Sequence, residues 1–319
     1  MYGTLGFRPP TSGAAPLPAL APLQSQPSQP SESQIVELDL ADWHAARSDA
    51  GWIAALEAGK VLYFPRLAFE VEPGERRLLS PDVLAPQVRN ISYDARGGLK
   101  GVVGDDARQR DAAAMIERFR RQALRFIDDL LPHYTEALRV APTSYRPVQV
   151  ETRTQSWRAD DKRLHIDAFP SRPNYGERIL RVFVNVNPEG LPRVWRVGEP
   201  FEAVARRFLP RVKSYAPWQA RILQALHVTK SLRSEYDHLM LQLHDAMKSD
   251  ADYQRHAPQQ TMAFPSGSAW VCFSDQTPHA VMSGQYMLEQ TLHLAASRQY
   301  NPESSPLAIL SRLTGRTIV

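Results

Sequence analysis

Residues 178–188 read RILRVFVNVNP, and their side chains alternate in character with a period of two. This period predicts a β-strand, because successive side chains of a strand point to opposite faces of the sheet. One face is entirely aliphatic and consists of Leu180, Val182, Val184 and Val186. The other face carries Ile179, Arg181, Phe183 and Asn185. A cation and an amide on an otherwise apolar face predict the wall of a cavity rather than a surface open to solvent.

The segments on either side of this strand predict the fold class. Short apolar runs bounded by turn residues predict further strands at 61–65, 268–273, 279–283 and 287–296. Helical spacing of apolar residues predicts a long helix over 106–131 and a helical insertion over about 200–258. Strands that resume after the insertion and complete the same sheet indicate an α+β protein. We expect its core to be a double-stranded β-helix, a cupin-like jelly roll, flanked by helices.

The first 35 residues differ in composition from the rest of the chain. Residues 1–35 are rich in Pro, Ala, Ser and Gln and contain little charge. Such side chains bury too little apolar surface to offset the entropy of ordering, so we predict a disordered N-terminal tail. Residues 36–319 are then expected to form a single domain that contains the helical insertion.

Composition excludes several classes of protein. The 319 residues carry a formal net charge of +4, which is too small to indicate a nucleic-acid partner by itself. A lone cysteine excludes an internal disulfide and a cysteine-rich zinc site. No run approaches the about 18 apolar residues of a membrane span, and the first residues lack the pattern of a signal peptide. We therefore expect a cytoplasmic protein without a transmembrane span.

Two segments contain a candidate metal-binding set. In LHIDAFP (164–170), His165 and Asp167 are two residues apart, so on a strand they share one face. In WVCFSDQTPHAV (270–281), His279 opens a strand after a polar turn. Two histidines and one carboxylate leave three positions of an Fe(II) ion open for a 2-oxoacid and O2. His293 could replace His279, but it lies in the middle of a strand, so we prefer His279.

A 2-oxoglutarate cosubstrate needs a cation for its distal carboxylate, because burying that charge unpaired is costly. In many such enzymes this cation lies about eleven residues after the distal histidine, where this chain has the neutral Gln290. We rank Arg181 first as its replacement, Arg146 second and Arg298 third. Asn185, on the same strand face as Arg181, is placed in the same pocket wall.

The stretch LPRVWRVGEPF (191–201) predicts an anion-binding site. Arg193 and Arg196 flank Trp195, and guanidinium groups match the geometry of carboxylate and phosphate oxygens. The alternative is a surface strand with Trp195 packed inward. We assign Arg193 and Arg196 to the binding of an anionic substrate.

Three stretches together resemble a known family: LHIDAFPSRPNYGERILRVFVNVNP, PRVWRVGEPFE and WVCFSDQTPHAV. They resemble the hydroxylases of 3-deoxy-D-manno-oct-2-ulosonic acid (Kdo), which are Fe(II)/2-oxoglutarate-dependent dioxygenases, and the likeness covers about residues 36–300. The resemblance implies hydroxylation at C3 of Kdo attached to lipid A. An enzyme of this kind binds Fe(II), consumes 2-oxoglutarate and O2, and releases succinate and CO2. It also implies particular roles for matching residues. His165, Asp167 and His279 would be the iron ligands and catalytic residues, and Arg146, Arg181 and Trp195 would line the cosubstrate pocket.

The implied substrate is anchored in a membrane, although the chain shows no span. We therefore expect a cytoplasmic enzyme of a Gram-negative bacterium that visits the inner leaflet of the inner membrane. The C-terminal LAILSRLTGRTIV (307–319) is a candidate peripheral contact, and its alternative is packing against the domain. Two other functions remain open: a 2-oxoglutarate dioxygenase acting on a protein side chain or a metabolite, and a non-catalytic jelly-roll module that binds anionic glycans or lipids.

Overall fold

The computed structural model describes residues 32–151 and 155–319, of which residues 33–319 form one compact unit. Most of the predicted tail lies outside the described residues. The first strand begins at Ile35, which pairs with Val61. The Ser33 hydroxyl donates to the Ile35 carbonyl and holds the chain as it enters that strand.

The described residues contain twelve strands and seven α-helices, joined by turns and short 3-10 helices. The strands are β1 (Ile35–Glu37), β2 (Val61–Phe64), β3 (Ile91–Asp94), β4 (Gly98–Lys100), β5 (Arg139–Val140), β6 (Thr143–Arg146), β7 (Arg178–Asn185), β8 (Arg193–Gly198), β9 (Gln259–Phe264), β10 (Ala269–Phe273), β11 (His279–Ser283) and β12 (Met287–Leu294). The helices are α1 (Ala50–Glu57), α2 (Asp106–Leu130), α3 (Phe201–Phe208), α4 (Pro217–Ala225), α5 (Glu235–Ser249), α6 (Ala251–His256) and α7 (Pro306–Thr314). The predicted strands and the long helix are confirmed to within a few residues.

The strands form one large, mostly antiparallel sheet and one small sheet. The large sheet has the order β1-β2-β10-β7-β12-β6-β3-β4, and β5 also pairs with β12. The small sheet has the order β11-β8-β9. The prediction that all C-terminal strands complete one sheet is wrong for β11. The turn between Phe273 and His279 leads the chain from the large sheet to the small one. His279, at the start of β11, therefore faces the large sheet.

The alternation of β7 separates two apolar layers, as the sequence predicts. Its aliphatic face packs with the buried stripe of α2, including Phe119 and Phe126. Its other face packs against the small sheet, where the Phe183 ring meets the Trp195 ring of β8 edge-on with ring centroids 5.1 Å apart. Each such side chain contributes about 1.5–3 kcal/mol through burial. The central strand is therefore fixed from both sides.

The helical insertion and the C-terminal helix form a further apolar cluster. Residues of α3, α5 and α7 pack together and against Leu164 and Ile166, which flank the first candidate metal ligand. Ile309, Leu310 and Ile318 are buried in this cluster. Of the two alternatives for 307–319, the structure supports packing against the domain, because the main apolar side chains of this segment are buried. Within the described residues, no helix combines the length and apolar character needed to cross a bilayer.

Candidate metal centre

The structure brings His165, Asp167 and His279 together, with one potential ligand atom of each lying within 4.8 Å of the others. Backbone hydrogen bonds produce this arrangement. The His165 amide donates to the His279 carbonyl (3.0 Å), and the His279 amide donates to the His165 carbonyl (2.8 Å). The Asp167 amide donates to the carbonyl of Ser274 (2.9 Å). His165 lies in an isolated bridge to His279 rather than in a longer strand, and the side chains still converge.

Both imidazoles are held in the form that binds a metal. Nδ1 of His165 lies 2.7 Å from the Arg163 carbonyl, and Nδ1 of His279 lies 2.8 Å from the Thr277 carbonyl. A carbonyl only accepts, so each Nδ1 carries the hydrogen and each Nε2 keeps a lone pair for a ligand. Burial, reinforced by neighbouring positive charge, lowers the pKa of His165 well below its usual value, and burial also lowers the pKa of His279. Both rings are therefore neutral at physiological pH, as metal ligation requires.

The third ligand remains a carboxylate. Burial would raise the pKa of Asp167, but Arg181 and the two imidazoles outweigh this effect and lower it. The Arg181 Nη2 atom lies 2.8 Å from Asp167 Oδ2. This contact leaves Oδ1, which lies 3.9 Å from His165 Nε2, on the side of the two histidines.

Arg181 is also bound to Glu289, a residue that the sequence analysis did not identify. Its Nη1 lies 3.1 Å from Glu289 Oε1, while Oε2 of the same carboxylate lies 3.1 Å from Arg146 Nη2. Asp167, Arg181, Glu289 and Arg146 thus form a row of alternating charges. Glu289 is the one acidic residue of β12, which was the signal that could have indicated it.

A cavity of about 240 Å³ opens beside the three ligands. Its wall includes Arg146, Arg181, Phe183, Arg193, Trp195 and Met287. Trp195 stacks on His279, with ring centroids 5.0 Å apart and an interplanar angle of 21°. The buried indole Nε1 has no acceptor among the described residues, so a ligand in the cavity could supply one. Arg193, on the same face of β8, donates from Nη1 to the Gly284 carbonyl (3.2 Å).

Two residues assigned to binding lie elsewhere. Arg196 is on the opposite face of β8 from Trp195, because side chains of a strand alternate. Its guanidinium donates to the carbonyls of Gln254 (3.1 Å) and Lys162 (2.8 Å). Because Gln254 lies in α6, Arg196 connects β8 to the helical insertion. Asn185 donates from its amide to the carbonyls of Leu191 (3.0 Å) and Phe264 (3.1 Å), so it fastens the turn at the end of β7. Neither side chain lines the cavity, and both assignments are corrected.

The remaining alternatives are also separated from the metal-binding set. Arg298 is exposed in the turn after β12 and lines neither the cavity of about 240 Å³ nor a larger neighbouring groove of about 1190 Å³. His293 lies on β12 and lines the larger groove, so it is not part of the group formed by His165, Asp167 and His279. Gln290 donates its amide to the carbonyls of Ala141 (3.0 Å) and Thr291 (2.8 Å), which gives it a structural role.

The helical insertion positions the first ligand through contacts that the sequence analysis missed. Gln254 in α6 accepts from the Leu164 amide (2.8 Å) and donates to the Leu164 carbonyl (3.0 Å), clamping the backbone next to His165. The ring of His244 in α5 meets the His165 ring edge-on, with centroids 5.6 Å apart. No local pattern identifies these residues, because their role depends on how α5 and α6 pack.

The residues fit Fe(II) and a small anionic cosubstrate. Two neutral imidazole nitrogens and one carboxylate on one side of a cavity are the facial donor set of non-haem iron oxygenases, and no cysteine competes. Arginines and an unsatisfied indole N–H line the open side. The fold and the site define the chain as an Fe(II)/2-oxoglutarate-dependent dioxygenase.

Comparisons with known proteins identify the family within this class. The family model for 3-deoxy-D-manno-oct-2-ulosonic acid (Kdo) hydroxylase matches residues 40–317, and the chain belongs to this family. The crystal structure of the Kdo hydroxylase KdoO with cobalt(II) is 43% identical, with a TM-score of 0.87, covering 90% of this chain and 98% of that chain. KdoO with alpha-ketoglutarate and Fe(III) is 43% identical, with a TM-score of 0.85, covering 89% and 97%. No curated protein matched the chain.

Proposed function

We propose that this protein hydroxylates C3 of Kdo attached to lipid A, using Fe(II), 2-oxoglutarate and O2 and releasing succinate and CO2. The convergence of His165, Asp167 and His279 beside a basic cavity, in a chain of the Kdo hydroxylase family, carries this proposal. These three residues would hold the iron. Bound Fe(II) would supply the oxygen chemistry that protein side chains lack. Arg181 would position Asp167 and keep it ionised.

We infer that 2-oxoglutarate occupies the cavity of about 240 Å³. Arg181 and Arg146 were the first candidates for its distal carboxylate, but they share Glu289 as a partner, and Arg181 also contacts Asp167. Arg193 reaches the same cavity from the small sheet, beside Trp195. We assign the carboxylate to Arg193 because its side chain lines the cavity beside the Trp195 indole N–H, which has no acceptor among the described residues and would be an additional donor.

A second, larger cavity suits the sugar substrate. This groove of about 1190 Å³ shares Asn90 and Arg181 with the smaller cavity, so it leads to the candidate metal centre. Its cationic lining consists of Arg96, Arg120, Arg139, Arg172 and Arg181, and Asp94 is the one acidic residue among its lining residues. Arg139 also pairs with Glu177, and Arg120 with Glu117. A basic groove complements the carboxylate of Kdo and the phosphates of lipid A.

The same proposal extends to the fold and the location of the enzyme. We infer that the two sheets form a double-stranded β-helix, since the small sheet β11-β8-β9 packs against β2, β10 and β7 of the large one. A lipid A acceptor places the reaction at the cytoplasmic leaflet of the inner membrane, where the enzyme would act as a peripheral protein.

The proposal is tested by mixing the full chain with Fe(II), 2-oxoglutarate and Kdo-lipid A and then admitting air. We expect succinate in proportion to a product whose Kdo, not its acyl chains, has gained one oxygen atom. If succinate were released only when a protein or a metabolite was added in place of Kdo-lipid A, the result would support a 2-oxoglutarate dioxygenase with that other substrate. Binding of Kdo-lipid A without any succinate would indicate a non-catalytic module.

A further inference from the structure

The helical insertion exposes an apolar surface that the proposed chemistry does not use. Trp218, Ile222 and Leu226 follow one another at four-residue spacing along α4, and their exposed fractions are 61%, 47% and 68%. The Leu226 amide donates to the Ile222 carbonyl (2.9 Å), so the helical turn continues to Leu226. Residues at this spacing lie on one stripe of a helix. Exposed Val228 continues the stripe into the following loop. We call these four residues the α4 surface.

The segment that contains the α4 surface is positively charged. Residues 209–234 contain five Lys or Arg residues and no Asp or Glu. Lys213, Arg221 and Lys230 are exposed around the apolar stripe. An exposed tryptophan beside aliphatic side chains and flanked by cations is the composition of segments that lie in the interface of anionic bilayers.

The α4 surface is joined to the larger groove by the loop that follows it. The Lys230 amide donates to the Ser171 carbonyl (2.9 Å), and the Arg233 guanidinium donates to the Pro170 carbonyl. Ser171 and Pro170 both line the larger groove. Anything that binds the α4 surface would therefore lie next to the wall of the larger groove.

We propose that the α4 surface docks on an anionic phospholipid bilayer. A bilayer fits better than a second copy of the chain. A symmetric dimer would place the same surface of each copy against the other and bring like charges together. Docking on a bilayer instead pairs these cations with lipid phosphates and buries the apolar stripe. The consequence for catalysis, that the groove is held near a membrane-anchored sugar, rests on the proposed function, but the docking itself does not.

The experiment uses sedimentation of the full chain with vesicles that contain no Kdo-lipid A. Vesicles of phosphatidylethanolamine and phosphatidylglycerol are compared with vesicles of phosphatidylcholine. We expect binding to the anionic vesicles that weakens with salt, and at least a tenfold loss of binding in Ile222→Ser/Leu226→Ser. Val88→Ser/Leu191→Ser, which changes two exposed apolar side chains elsewhere, is the matched control and should bind like the original chain.

A second measurement reports contact directly. Tryptophan emission should shift to the blue on anionic vesicles, and this shift should be absent in Trp218→Phe. Failure of the original chain to bind, or equal binding by Ile222→Ser/Leu226→Ser, would overturn the proposal. A dimer in sedimentation velocity that this variant dissociates would also overturn it, in favour of self-association. Because these assays involve no turnover, an error in the assigned substrate would leave their result unchanged.

Discussion

Two arginines of β7 have contrasting environments although they lie three residues apart. The Arg178 side chain is fully buried, with Nε 2.8 Å from Asp275 Oδ2 and the guanidinium 3.9 Å from the centre of the Phe273 ring. The same aspartate accepts from the Ile179 amide (3.0 Å). Arg181 points to the opposite face, where it contacts Asp167 and Glu289 and lines two cavities.

The two arginines show that opposite faces of one strand can serve different purposes, one stability and the other function. Arg178 is enclosed by protein groups, so its ion pair contributes to folding and is inaccessible to ligands. Arg181 connects a candidate metal ligand to the walls of two cavities. A buried pair is strongly destabilising to break, because the remaining partner keeps an uncompensated charge. If Arg181 is lost, by contrast, Glu289 keeps Arg146 as a partner, and a bound metal ion would compensate the charge of Asp167.

Replacement of a ligand should have the largest effect. We expect His279→Ala to lower turnover at least about a thousandfold, equivalent to about 4 kcal/mol of transition-state stabilisation, because one of three iron ligands is lost. Iron and Co(II) titrations should show no tight site. His293→Ala is the control, since His293 lines only the larger groove, and it should keep the metal affinity of the original chain. Tight metal binding by His279→Ala would contradict the assigned ligand set.

Breaking the enclosed pair should affect folding rather than metal binding. Arg178→Met leaves Asp275 buried and uncompensated, so we expect the free energy of unfolding to fall by about 3–5 kcal/mol. Denaturant titration measures this loss. Arg178→Met/Asp275→Asn removes both charges and should recover part of it. Co(II) affinity of the folded fraction should be unchanged, and a large fall in that affinity would remove the distinction between the two arginines.

Arg181→Met should show the converse behaviour. Loss of the group that orients Asp167 should weaken Co(II) or Fe(II) binding by about 10–100-fold, as is typical for partners of metal ligands. Isothermal titration under anaerobic conditions measures the affinity. An unchanged metal affinity would show that Arg181 does not position Asp167 and would leave it with only a structural role.

The arginines of β8 provide the smallest contrast. Arg193→Met should raise the KM for 2-oxoglutarate about tenfold with metal affinity retained, because a charge-assisted hydrogen bond is worth about 1.5–3 kcal/mol. Arg196→Met changes the same residue type on the opposite strand face and should leave this KM unaltered. Succinate assays over a range of 2-oxoglutarate concentrations distinguish the two variants. Similar KM changes in both would contradict the assignment of Arg193.

Sequence reasoning was most successful where a short period controls geometry. The period of two in β7 correctly placed Arg181 and Phe183 opposite the aliphatic face, and the spacing of His165 and Asp167 correctly placed them beside each other. It failed for Arg196, because flanking Trp195 in sequence was taken as convergence in space. A strand places immediate neighbours and residues three apart on opposite faces.

The sequence by itself determined the strand period, the chemical nature of the three candidate ligands and the likeness to Kdo hydroxylases. Only the tertiary structure decided which charges are compensated and which apolar surfaces stay exposed. Glu289 reaches Arg181 from another strand, Gln254 clamps the backbone beside His165 from the insertion, and the C-terminal apolar residues are buried while α4 is not. The physical reason is that burial and pairing depend on groups brought together from distant parts of the chain, whereas periodicity and ligand chemistry are local properties.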